Sequence, residues 1–430
     1  MSKKSLSFEV ICAMCGLYLF IPIRWGIGGA HLTSILLLLC LTLCLLQNKK
    51  MYLPKEVLNV SVVLYFGIYT LLYLKDGSWG MGLNFLLEQL IPYYLCVVYI
   101  NTEQKLQGAL NCFTKAAFLY AILGIVEAVT KFNLFDSIIG TVYESQQQMM
   151  RFGIYRPRGI CTMTINNCIV LCFALCLVAY YMNIKKKVTW FDKATYGLLL
   201  VNAILTLSRA ALVMVLGSQI LIGLKTDYIK NKNRIAIVTI VGVCGSLITE
   251  VLGFHLIKDV ITQFILMFSS VFSKEAAASL SSSFGANPNG IGHRFMLYEW
   301  IFEDVGNHWL FGLGSQAAFG RYVMAKTLKT SIENYYLSRY FHFGMIGVLT
   351  SIVAILSVII YSVKNRKRCA SFEKKININD VVLIAFLMYL VVLLTVSTTD
   401  DVRVFSLMLG ITVARNRIAK RNAQRKNEKN

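Results

Sequence analysis

The sequence predicts an all-α polytopic membrane protein, with about 12 transmembrane helices and one long extracytoplasmic loop containing short helices. Three observations predict it. Hydrophobic residues make up 56% of the 430 and charged residues 15%, where soluble domains carry roughly a quarter charged, and mean hydropathy is +0.60. Apolar runs long enough to cross the roughly 30 Å of bilayer hydrocarbon recur along the whole chain. The basic residues fall between those runs and favour one side. Such a composition excludes a soluble globular enzyme, and the several domains that length alone would allow give way to one integral membrane domain, 1–430.

The first five spans are read at 8–23, 31–47, 57–74, 82–100 and 106–130. Lys3 and Lys4 ahead of the first resemble a signal peptide, but no small-residue cleavage site precedes Arg24, so the segment is read as a retained helix. An outer basic loop, 131–159, leads to spans at 160–182, 191–208, 210–224 and 234–252. A long outer loop, 253–332, follows. It opens with IKDVITQFILMFSSVF, 257–272, whose apolar positions recur at helical spacing and read as an interfacial helix. The next stretch, 273–292, is rich in Ser, Ala and Gly and reads as a hinge or lid. A loop helix then begins near Gly292 and ends at the turn GNHWLFGLG, 306–314. Spans at 335–363, 380–398 and 402–416 and a basic tail, 415–430, complete the chain. No internal repeat of the transporter kind is visible.

Net charge is +21, from 43 Lys and Arg against 22 Asp and Glu. Placing both termini in the cytoplasm assigns 27 of the 43 to that side and 15 to the other, with Lys115 inside a span. The reverse orientation would translocate Lys185, Lys186, Lys187, the run from Arg366 to Arg368 and the tail, against the rule that short cytoplasmic loops are rich in Lys and Arg. The inner set holds 20 Lys to 7 Arg and the outer set 9 Arg to 6 Lys. Guanidinium groups suit bidentate binding of phosphate or carboxylate. Membrane lipids and an anionic substrate are therefore the expected partners, and nucleic acid is not. The 12 cysteines, apart from Cys161 and Cys369, sit in apolar runs as small hydrophobes, and no spacing suggests a disulfide framework or a metal site.

Three constellations stand out on the outer side. In LTLSRAALV, 205–213, Arg209 lies at the tip of a tight hairpin, where a charge is expensive without an anion. RFGIYRPRGICTMTINN, 151–167, brings Arg156 and Arg158 to the start of the sixth span, where early helical amides add to a phosphate site. GHRFMLYEW, 292–300, and SIENYYLSRYFHFGMIG, 331–347, contain Arg294, Trp300, Glu333, Asn334, Tyr335 and His342. Glu88 and Lys115, on consecutive spans, read as a structural pair. Asp400 and Asp401 read as a solvated turn beside Arg403.

Taken in order, the Ser-Arg hairpin, the Arg-plus-Trp helix, Gly312 and Gly314, Asn334 with Leu337, and Gly344 with Gly347 resemble the bacterial O-antigen polymerase and O-antigen ligase superfamily. The motifs cover about residues 150–350 and the topology covers the whole chain. The resemblance implies a GT-C-like glycosyltransferase, independent of metal and without a cofactor, working on undecaprenyl-diphosphate-linked oligosaccharide at the outer face of the bacterial cytoplasmic membrane. On that footing Arg209 and Arg294 match the family's arginines, and Arg156 matches the arginine ahead of the sixth span. Ligases carry His where this chain has Glu333, which points to the polymerase branch. Asn166 and Asn167 depart from a common Pro-Asn.

The expected chemistry is transfer of a glycan chain from the diphosphate to a sugar hydroxyl of another lipid-linked repeat unit, with inversion. Arg209, Arg294, Arg156 and Arg158 would hold the diphosphate, and Glu333 would accept the hydroxyl proton. Asn334, Tyr335, Trp300 and His342 are candidates for contact with the glycan. A polysaccharide co-polymerase that regulates chain length and a flippase are the protein partners implied. Ligase-type transfer to a different acceptor is the alternative within the family, and a transporter of the same lipid-linked sugars is the alternative from another class.

Overall fold

The computed structural model describes residues 6–18, 20–21, 26–27, 30–47, 56–139, 150–151, 154–225, 288–323, 327–329, 332, 334–370, 376–394, 396 and 402–428. They are mostly helical. In chain order the helices are α1 (Leu6–Leu17), α2 (Leu32–Gln47), α3 (Val57–Lys75), α4 (Trp79–Tyr99), α5 (Glu103–Thr130), α6 (Leu134–Ile139) and α7 (Thr164–Ile184). After them come α8 (Trp190–Leu205), α9 (Arg209–Lys225), α10 (Pro288–Val305), α11 (Tyr335–Ala370), α12 (Ile378–Leu393) and α13 (Val402–Asn427). Three two-stranded antiparallel ribbons lie in the connections: β1 (Gly26–Ile27) with β2 (Ala30–His31), β3 (Met150–Arg151) with β4 (Ile154–Tyr155), and β5 (Arg321–Val323) with β6 (Thr327–Lys329).

Five of these helices, α3, α4, α5, α7 and α11, are long and apolar enough to cross a membrane, and α2, α9 and α12 are shorter apolar helices. A helix stands at each expected span except 234–252, which lies outside the described residues, as do the expected interfacial helix 257–272 and most of the lid. Polar caps fix where several helices start, because the first backbone N–H groups need acceptors. Thr189 and Asp192 form a reciprocal capping box at α8, and Thr102 and Asn377 cap α5 and α12.

The axis of the bundle is α7, whose residues from Asn166 to Val178 are all buried. Helices α5, α8, α9, α12 and α13 surround it. A helix apolar on every side belongs in such a centre. Around the outside, Leu39, Leu64, Leu71, Leu216, Leu349, Val353 and Ile360 are exposed, an apolar girdle that suits lipid better than water.

Ion pairs gather at the two ends. At what we call the tail end, Lys185 binds Asp192 (2.8 Å), Lys225 and Arg366 share Asp380 (2.5 and 2.8 Å), and Arg415 pairs with Glu103. The basic tail is a continuation of α13, helical to Asn427, with Ile418 and Ala419 still buried. The opposite end, here the loop end, carries residues 131–139 and 154–163, the α8–α9 turn and the turn 306–316.

Two sequence expectations are corrected. The first is that residues 335–363 form one span. Gly344 has φ 63° and ψ −158°, which breaks α11 in two. Contacts with α3 reveal the consequence. Residues after the break run down α3: Gly347 and Ser351 meet Tyr69, Ser357 meets Ser61, and Tyr361 meets Glu56. Residues before it run the other way, with Tyr335 at Tyr65, Arg339 at Tyr69 and Phe343 at Tyr73. So α11 is a helical hairpin: an arm, 335–343, rises from midway along α3 to the loop end, turns at Gly344, and descends as the long limb 345–370.

The second correction concerns Glu88. It pairs with Arg403 (3.4 Å) and His31 (2.8 Å), not with Lys115, which faces outward on α5. Arg403 is accordingly buried inside the bundle and is no part of a solvated turn. Asp400 and Asp401 lie outside the described residues.

Candidate functional site

The structure holds three polar clusters, two at the loop end and one inside the bundle, each built by a different set of helices. The first fastens the loop ahead of α7. Glu127, in the last turn of α5, accepts the backbone N–H of Arg158 and of Gly159 (both 3.0 Å) and the Asn133 amide (2.8 Å). Asn133 in turn donates to the Gly159 carbonyl (3.0 Å). Tyr120 donates to Asn167 (2.6 Å), whose amide donates to the Pro157 carbonyl (3.0 Å). Gly159 has φ +54°, and a Cβ there would collide with the Tyr120 hydroxyl. Backbone that would otherwise be orphaned inside a membrane protein is thus satisfied by side chains.

Two of the predicted diphosphate ligands lie here. Arg158 is 2% exposed, pairs with Asp136 and donates to the Cys161 carbonyl (2.9 Å). Its guanidinium serves to hold the loop. Arg156 is half-buried, and its Nε donates to the Thr206 carbonyl in the α8–α9 turn (2.7 Å). That turn passes through Leu207 at φ +47°, and Arg209 opens α9 directly after it. The tight hairpin expected at Arg209 is therefore present, and Arg156 is brought to it. The side chains of Arg209 and Arg294 lie outside the described residues, although their backbones open α9 and belong to α10. Glu333 lies outside them entirely.

The second cluster is built on the hairpin of α11. The broken backbone is paired by the turn 309–314, which lies beside it: Leu313 and Gly314 donate to the Phe341 and His342 carbonyls (2.8 and 3.0 Å), and Met345 and Ile346 donate to the Trp309 and Leu310 carbonyls (2.9 and 3.2 Å). The turn is moored to the end of α3, where Asp76 accepts the Ser315 N–H (2.7 Å) and Ser78 meets Ser315 (2.9 Å). His342 Nδ1 lies 3.1 Å from the Gly314 carbonyl, so the ring helps seat the turn. Asn334 caps the rising arm by accepting the Leu337 N–H (3.1 Å), and its amide reaches the Leu394 carbonyl (3.0 Å) and Tyr298 (3.2 Å). Trp300 packs beside a small core of Leu297, Ile301, Phe319 and Phe341. Asn334, Tyr335, Trp300 and His342 are thus brought to one region.

Arg339 is the residue of this cluster that the sequence did not single out beyond its place among the outer arginines. It is 4% exposed. Its guanidinium carbon lies 4.7 Å from the Tyr69 ring, 4.8 Å from Tyr335 and 5.6 Å from Phe343. Among the described residues no carboxylate lies within ion-pair distance of it. Burying a guanidinium costs several kcal/mol, and each desolvated ring returns about 0.5–2 kcal/mol. The signal available beforehand was spacing: Tyr65, Tyr69 and Tyr73 on α3 face Tyr335, Arg339 and Phe343 on the arm, both at intervals of four.

The third cluster is the buried triad of Glu88, Arg403 and His31. Ser34 donates to Asn84 (2.9 Å) and to Glu88 (3.3 Å), Tyr18 donates to the Glu88 carbonyl (2.6 Å), and Arg403 also meets Thr33 and the Ile21 carbonyl (3.4 Å). These groups tie α1, α2, α4 and α13 together.

Neither a protein-family profile nor a curated protein matches the sequence.

Proposed function

We propose that this protein is a membrane glycosyltransferase of the polysaccharide-polymerase kind, with about 12 spans, a GT-C-like arrangement, both termini in the bacterial cytoplasm and its site at the loop end, facing out. A glycan chain on undecaprenyl diphosphate is the donor, and a hydroxyl of another lipid-linked repeat unit is the acceptor. The bond between anomeric carbon and phosphate oxygen breaks, the acceptor oxygen forms the new bond on the opposite face, and the hydroxyl proton passes to a base, here Glu333. Negative charge develops on the leaving diphosphate, and Arg209, Arg294 and Arg156 supply preorganised positive charge for it.

One observation carries this reading. The arm 335–343, part of the segment that resembles the polymerase and ligase motif, turns back to pack against α3 and α10 and ends at the loop end, with a buried arginine on it. The test is reconstitution of the purified protein with synthetic lipid-linked repeat units, following product length. Longer chains that disappear in Arg209→Ala and Glu333→Gln support the reading. Consumption of repeat units without longer products removes the polymerase reading in favour of ligase-type transfer. Chain growth that survives both substitutions removes the mechanism.

A second reading has an observation of its own. Broken helices and charges buried at membrane depth are common in transporters, and the chain has both, in the Gly344 hairpin and the Glu88–Arg403–His31 triad. Movement of a labelled lipid-linked oligosaccharide across vesicles, without any change in its length, would select that reading.

A further inference from the structure

We infer that Arg339 is the seat of an anionic oxygen group carried by the ligand, either a phosphoryl group or the carboxylate of an acidic sugar. Naming the ligand in this way rests on the glycosyl-transfer reading, whereas the site itself rests on the geometry of the hairpin.

Among the described residues the cage has a cation and no anion. Tyr69 and Tyr335 flank the guanidinium, Phe343 closes the third side, and no carboxylate of the described residues reaches it. Asp76, at the end of α3, is engaged by the Ser315 N–H. Stacking against rings satisfies the faces of a guanidinium and leaves its edge of N–H donors for an acceptor. Oxygen groups of phosphate or carboxylate match that edge in geometry and charge. The surroundings suit a sugar as well. The Tyr65 and Tyr335 hydroxyls lie 3.0 Å apart at the lower rim and can donate or accept. Tyr65, which contacts both Tyr69 and Tyr335, is only partly buried. Its walls come from two elements, helix α3 and the arm that ends at Gly344.

The test uses the full-length protein in lipid nanodiscs and reads its melting temperature against inorganic pyrophosphate, glucuronate and neutral glucose, for wild type, Arg339→Gln and Arg339→Lys. In the wild type one of the two anions raises the melting temperature in a saturable way and glucose does not. Pyrophosphate as the active probe assigns the site to the lipid diphosphate; glucuronate assigns it to an acidic sugar. Arg339→Gln weakens that response at least tenfold, and Arg339→Lys retains part of it, since lysine keeps the charge but not the planar edge. If neither anion shifts the wild type, or if Arg339→Gln responds as the wild type does, the inference is overturned. Should Arg339→Gln fail to fold, the wild-type and Arg339→Lys curves still decide. Turnover of the lipid-linked repeat units separates the two claims: growth with an unchanged KM in Arg339→Gln sinks this site alone, and anion binding with neither growth nor consumption of repeat units in the wild type sinks the glycosyl-transfer reading alone.

Discussion

Replacing Gly344 with alanine strikes the turn of the α11 hairpin. At φ 63° and ψ −158° an L-residue pays a backbone penalty of about 1–3 kcal/mol. The added Cβ would also lie 2.5 Å from the carbonyl carbon and oxygen of Leu310 and 2.6 Å from the Gly312 nitrogen. All three are backbone atoms, so no side chain can swing aside. Relief requires the turn 309–314 to part from the hairpin, which endangers the four backbone hydrogen bonds between them, each worth a net 0.5–1.5 kcal/mol or so. The expected loss is roughly 3–9 kcal/mol. Gly67, on α3, has nothing within 4 Å of its would-be Cβ and an ordinary helical φ, so Gly67→Ala is the control; it should be neutral or stabilising by up to about 1 kcal/mol. Unfolding in mixed micelles titrated with SDS, followed by tryptophan fluorescence, measures both. A Gly344→Ala protein as stable as Gly67→Ala would refute the hairpin as described.

Other substitutions test the remaining clusters. Glu127→Ala removes the acceptor of two backbone amides and the Asn133 side chain, so it should cost about 2–4 kcal/mol and make the chain cleavable by trypsin at Arg158 under native conditions. Arg403→Ala leaves Glu88 buried beside a single histidine and should destabilise by about 3–5 kcal/mol; adding Glu88→Gln should recover part of the loss, giving a double-mutant coupling well above 0.5 kcal/mol or so. Gly124→Ala places a methyl against the Asn202 amide and should cost about 1–3 kcal/mol. Asn202 is fully buried and both its amide atoms are without a hydrogen-bond partner among the described residues, so Asn202→Ala should rescue Gly124→Ala in the same unfolding assay. Failure to rescue would mean that the two helices, and not the side chain, carry the clash.

Some of this arrangement was legible in the chain. Apolar runs and their polar punctuation located the helices, because hydrogen-bonding of the backbone inside apolar surroundings leaves little choice but helix. The Arg209 hairpin was legible because too few residues separate its two apolar stretches for anything but a tight turn. Local composition could not reveal the hairpin in α11: its residues read as one apolar run, and a reversal depends on a single positive φ at Gly344. The partnership of Glu88 with Arg403 was equally hidden, since it spans more than 300 positions of sequence and reasoning from adjacent spans chose Lys115 instead.

Local composition and period thus fix the apolar, helical character of the chain and put arginines into its connections. Which arginines brace the protein, and which is held in an aromatic cage, depends on the packing of segments far apart in the chain. The roles of Arg158 beside Asp136, Arg403 beside Glu88 and Arg339 among its rings depend on what distant segments bring near, and a charge in a low-dielectric interior is governed by its neighbours.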